Sequence, residues 1–187
     1  MIKSFTAGLL AGGLLVAGAA SAGAAEFTLT SPDIAAGGTI AEGQVGNAFG
    51  CSGGNASPAL NWSGAPAGAK SFALSVFDPD APTGSGFWHW VIFDIPANAT
   101  SLAKNAGNPK AGLAPAGAIQ GRNDAGTQGY FGPCPTKGDA PHHYNFQLFA
   151  VDLDKLGADA NASPALVGFL LHYHTLAKAT LTGLYGR

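Results

Sequence analysis

The chain has 187 residues, with nine basic and eleven acidic side chains and a formal charge of −2. Nothing basic is clustered, which excludes nucleic acid and an anionic membrane surface as the main partner. Only 11% of residues are charged, whereas glycine occurs 28 times and proline 12 times, so turns punctuate most of the chain.

The first segment reads as a leader. Lys3 precedes the apolar run 8–20, which is too short to span a bilayer, and small residues offer A-x-A sites at 20–22 and 22–24. This predicts a signal peptide over 1–24, cleaved near 22–25, and export to the periplasm or medium. No cysteine stands at the cleavage point to carry a lipid, and no later segment is apolar for long enough to cross a membrane. Residues 25–187 have the size of a single domain. In an exported chain the even pair Cys51 and Cys134 favours a disulfide over two free thiols. Closing that loop would contribute on the order of 4 kcal/mol in the chain-entropy picture. Neither cysteine has a second one at ligand spacing, so zinc is not indicated.

In chain order, 26–31 is a plausible first strand. Residues 71–77 (SFALSVF) are apolar on both faces and predict a central strand covered on two sides. Residues 88–95 and 142–153, rich in aromatic and β-branched side chains, predict two more strands. The stretch 104–141 has no clear element and is expected to be a functional loop with some short structure inside. One helix is expected: Ser163 as N-cap, Pro164 at the first position, then Leu166, Leu170, Tyr173, Ala177 and Leu181 at 3–4 spacing until Gly183. The class is therefore mostly β, a sandwich or barrel-like domain.

The chemistry gathers in two places. In "DPDAP" (78–82) the prolines stiffen a turn that carries Asp78 and Asp80, with both carboxylates on one side if the backbone stays extended. An Asx-type turn capping local amides is the plainer alternative. Nine residues on, His89 lies between two tryptophans, and simple alternation puts it with Val91 and Phe93, away from Trp88 and Trp90. In the segment 129–146, alternation places His142, Tyr144 and Phe146 on one face and His143 and Asn145 on the other. Gly132, Pro133, Cys134 and Pro135 form a rigid approach whose backbone groups are expected to be free. Imidazole and phenol donors side by side suit an oxyanion. No activated nucleophile, metal motif or phosphate loop accompanies them. Ser85 lacks a strand–elbow–helix context, and His172 and His174 lie about 200° apart around a helix.

"DPDAP", then "HWVIFDIP", then "GPCP…HHY", in this order, together with "CSGGNASPALNW" ahead of them, resemble the phosphatidylethanolamine-binding protein family, which includes the Raf kinase inhibitor proteins. "SGFWHWV" and the terminal "GLYGR" are similar to its bacterial branch. The resemblance covers about 26–187. It implies an antiparallel β-sandwich with short peripheral helices and a C-terminal helix. It further implies a small anion pocket lined by Asp78, Asp80, His89, Gly132, Pro133, His142 and Tyr144. Many relatives have arginine where His143 stands, and a cis bond at Ala81–Pro82 is a feature the family suggests. The implied function is non-catalytic binding of a phosphate-like or phospholipid headgroup ligand, without a cofactor, together with regulation of a protein partner. A protease or kinase inhibitor acting by surface contact is the alternative, and a hydrolase using the Asp/His pocket is a weaker one.

Overall fold

The computed structural model describes residues 25–187 together with Met1; the expected signal peptide lies outside the described residues. Eight strands and one α-helix follow in order. They are β1 Thr28–Thr30, β2 Leu60–Ser63, β3 Ser71–Asp78, β4 Phe87–Pro96, β5 Ser101–Leu102, β6 Ile119–Gln120, β7 His142–Val151, α1 Pro164–His174 and β8 Thr175–Tyr185. A five-stranded sheet of order β6-β4-β3-β7-β8 packs against a three-stranded sheet of order β1-β2-β5, and every pairing of these strands is antiparallel.

The two-sided burial expected of 71–77 is present. From one face of β3, Phe72, Leu74 and Val76 enter the core between the sheets, with Leu29, Leu60 and Trp62 opposite. From the other face, Ala73 joins Val91, Phe93 and Val151 under Val167 and Leu171 of α1. The fold is thus a β-sandwich with one helix on the outer face of its larger sheet, and burial on both sides of β3 and β4 fixes their register.

Two sequence expectations change. The helix starts as expected, with the Ser163 hydroxyl accepting from Leu166 N, but it ends at His174. Residues 175–185 form β8 and supply the ladder partner that β7 needs along its whole length. The helical positions expected to face the core are also out of phase: Leu166 and Tyr173 are exposed, and the helix buries Pro164, Val167 and Leu171 instead. Gly183 is therefore not a helix stop. It sits in β8 where a Cβ would meet Ile40 Cγ1 at 2.8 Å.

The second change is in β4. Val76 faces Trp90 and Phe77 faces Trp88, so His89 is an extra residue, a β-bulge. The bulge breaks alternation. Trp88 stacks on Phe77 on the helix side, while His89 turns to the side of Tyr144, its ring 5.1 Å away. Val91 and Phe93 belong to the opposite core, not to the face of His89.

Candidate functional site

The end of β3, the bulge in β4 and the start of β7 converge on one cavity of about 250 Å³. Its polar floor is Asp78, His89, His142 and Tyr144, all buried. Its wall and rim are mostly apolar: Phe49, Pro82, Phe87, Phe131 and Pro135.

Asp78 organises the floor. One carboxylate oxygen accepts from His142 Nδ1 at 2.7 Å, and the other accepts from the backbone N–H groups of Asp80 and Ala81. Asp78 thus caps the Asx-type turn and also lines the cavity. The turn it caps ends the extended geometry, so Asp80 does not follow Asp78 into the pocket. Asp80 lies outside and accepts from both the backbone N–H and Nδ1 of His143, at 2.7 and 2.8 Å. Those two bonds hold its carboxyl below the ordinary range. His143, expected on the surface, is there. Ala81–Pro82 is trans, since no peptide bond among the described residues is cis.

The His89 tautomer follows from its partner. Nδ1 lies 2.8 Å from the carbonyl of Phe131, which can only accept, so Nδ1 carries the hydrogen and Nε2 is left as the pocket-facing acceptor. Burial disfavours the imidazolium and pushes the pKa down to about 4, against weaker support from Phe131 and Asp78. Asp78 Oδ2 is 4.0 Å from Nε2, too far for a hydrogen bond. Tyr144 is the other unusual group. Its hydroxyl is buried without a protein partner, and burial with the Asp78 carboxylate nearby pushes its phenol far above the ordinary range. It remains a proton donor throughout the physiological pH range.

Gly132 and Pro133 support the site from beneath. The expectation of free backbone groups does not hold: Gly132 N donates to Asn55 Oδ1 and Pro133 O accepts from Gly46 N. A Cβ on Gly132 would meet Gln44 O at 2.0 Å, so glycine is required by close packing. Cys134 does line the cavity, and it is bonded to Cys51 with Cα atoms 5.9 Å apart. The loop 104–141 supplies this wall, and it also contains a short 3₁₀ turn (Pro109–Ala111) and β6. The aromatic rim residues Phe49 and Phe131 were missed because they come from loops without periodicity. Phe87 had a local signal, its place beside His89 in "FWHW".

The molecule is thus a β-sandwich whose cavity has an acid–imidazole–phenol floor under an apolar rim. The family model described as phosphatidylethanolamine-binding protein matches residues 30–186, and the chain belongs to that family. It is 50% identical over 161 residues to the UPF0098 protein YbcL of Escherichia coli, covering 86% of this chain and 88% of YbcL. The UPF0098 protein YbhB of the same organism is 42% identical over 157 residues, or 84% of this chain and 98% of YbhB. The crystal structure of YbcL, described as a member of the mammalian PEBP family, superposes with a TM-score of 0.85 over 87% of this chain and 99% of that one.

Proposed function

We propose that the protein is an exported, non-catalytic binding protein whose floor of Asp78, His89, His142 and Tyr144 takes a small ligand bearing an acceptor oxygen, such as a phosphate or phosphoethanolamine headgroup. The observation that carries this reading is the Tyr144 hydroxyl, buried at the base of an open cavity with no partner in the protein. An unsatisfied buried donor costs about 1–3 kcal/mol, and a ligand oxygen removes that cost. His89 Nε2 adds an acceptor for a protonated or ammonium group on the same ligand. The apolar rim accommodates carbon attached to the headgroup.

Binding is favoured over turnover by the nucleophile inventory. Cys134 is in a disulfide, the Thr83 hydroxyl is held by the Gly86 carbonyl, the Thr136 hydroxyl has no hydrogen bond among the described residues to a histidine or carboxylate that would activate it, and no serine lines the cavity. Export is supported by the leader pattern of 1–24, by the disulfide, and by a mycobacterial relative, the lipoprotein LppC. That relative is 42% identical over 65% of this chain. Among the described residues no helix is long and apolar enough to cross a membrane.

The test is thermal denaturation of wild type, Tyr144→Phe and His142→Ala with phosphate, acetate and phosphoethanolamine. The ligands raise the melting temperature of wild type and not of His142→Ala. Tyr144→Phe, relieved of an orphan hydroxyl, unfolds no more easily than wild type when empty and loses most of the ligand effect. Absence of stabilisation of wild type by any of the three ligands at high concentration overturns the reading.

A further inference from the structure

A second concavity lies beyond the far side of the 130–132 wall, where Tyr130 lines it and Phe131 lines the first pocket. It is a cleft of about 710 Å³ built by residues 47–56, 104–110 and 127–130. Its lining is chemically unlike the first site. Five amide side chains (Asn47, Asn55, Asn105, Asn108, Gln128) share it with Lys104 and Lys110, and no carboxylate lines it.

Part of this surface is already held in place. Asn55 is fixed by Gly132 N and the Tyr130 carbonyl, Asn108 by Lys110 N, Gln128 by the Ala160 carbonyl, and Lys104 by Asp33 at 3.1 Å. Asn55 and Asn105 both hold left-handed backbone angles, φ 50° and 65°, which asparagine tolerates better than most residues. The ordering cost of these side chains is therefore met before any ligand arrives. The side chains of Asn47, Asn105 and Lys110 take no part in the ion pairs and side-chain hydrogen bonds that fix the rest of the cleft.

We infer that this cleft binds an acidic saccharide, a hydroxyl-rich ring carrying a carboxylate or phosphate. Asn47 and Asn105 each offer donors and an acceptor at once, and Asn108 and Gln128 keep the amide atom they have not used; this matches a sugar hydroxyl, itself both donor and acceptor. The Lys110 ammonium, which has no carboxylate within ion-pair distance among the described residues, selects the charged substituent, and Lys104, paired with Asp33, adds its remaining donors. A lone phosphate would leave most of the amides unused. Nucleic acid is disfavoured by the formal charge of −2 and by the lack of an exposed aromatic face in the cleft, whose one aromatic lining residue, Tyr130, is buried. A peptide would want an apolar anchor or a free strand edge, and the lining residues supply neither.

The experiment is amide-resolved NMR titration of the intact protein with glucuronate, glucose 6-phosphate, neutral glucose and inorganic phosphate. At least one acidic sugar is expected to shift the resonances of 104–110 and 127–130, and the two arms report which charged group is preferred. Glucose is expected to bind roughly tenfold more weakly, and added salt to weaken the acidic sugar, as exposed lysine pairing requires. Lys110→Gln with Asn105→Gly, the first an exposed side chain of the 3₁₀ turn and the second a change that keeps the left-handed backbone angle, is expected to abolish the shifts, while His142→Ala leaves them intact and so separates this cleft from the headgroup pocket. No response to either acidic sugar, an equal response to glucose, or an equal response of the cleft to inorganic phosphate overturns the proposal.

Discussion

With its pKa near 4 in the fold and about 6.5 in an unfolded chain, the buried His89 imidazole couples folding to pH. Between those values the unfolded state binds the proton that the folded state refuses. Stability from this group is therefore complete above pH 6.5 and is lost progressively as the pH falls towards 4, by roughly 3 kcal/mol. His89→Gln keeps a donor for the Phe131 carbonyl and removes the titration. Its unfolding free energy, measured by denaturant titration from pH 7 to 4, is expected to fall less steeply than that of wild type; parallel curves would contradict the assignment. The two aspartates of "DPDAP" separate at the same scale. Asp78→Ala strips the partner from His142 Nδ1 and two backbone amides, so a loss of about 3 kcal/mol is expected. Asp80 is half exposed and bonded only to His143, and Asp80→Ala is expected to cost less than about 1 kcal/mol, with ligand stabilisation retained.

At the scale of elements, glycine separates the helix from the strand that follows it. Gly168 lies exposed in the middle of α1 with open space where a Cβ would go. Gly168→Ala is expected to stabilise the protein by roughly 0.5–1 kcal/mol. Gly183→Ala would drive a methyl group into Ile34 and Ile40, and a loss of about 1–3 kcal/mol is expected; chemical denaturation of both variants checks the pair. These positions also show what the sequence could disclose. The Ser163–Pro164 start is a local signal and was legible. The end of the helix was not, because Ala177 and Leu181 satisfy a helical spacing as well as the period-two burial of Ala177, Ala179, Leu181 and Gly183 in β8. What decides between them is remote: β7 needs a hydrogen-bonded neighbour along residues 142–151. The bulge at His89 was hidden for the same reason, since it exists only in the register of β4 against β3. His142 and Tyr144, two residues apart on an unbroken strand, were readable from alternation alone, whereas Asp80 was not, because Asp78 captures the backbone that follows it.

Across the whole molecule, the pocket floor and the pocket mouth are built by different means. The floor stands on β3, β4 and β7, and both faces of β3 and β4 carry core residues. Besides the 81–87 turn, the mouth is formed by two irregular segments, around Phe49 and around Phe131–Thr136. A disulfide joins them, and Arg187 clasps both, its Nε on the Pro135 carbonyl and an Nη on the Gly50 carbonyl. The disulfide spans 83 residues, a loop worth roughly 4–5 kcal/mol in chain entropy. For a domain of this size that corresponds to a melting temperature lower by about 10–15 °C when the bond is absent. The Cys51→Ser/Cys134→Ser protein is therefore expected to fold with the same β content and melt well below wild type. Because its floor does not depend on the bond, phosphoethanolamine is still expected to stabilise it, but less, since Phe49 is freed from its packing on Phe131 and no longer closes the rim. Calorimetry of both proteins with and without the ligand reads the two effects separately. An undiminished ligand effect would show that the rim contributes nothing to binding, and its complete loss would show that the floor is not rigid without the mouth.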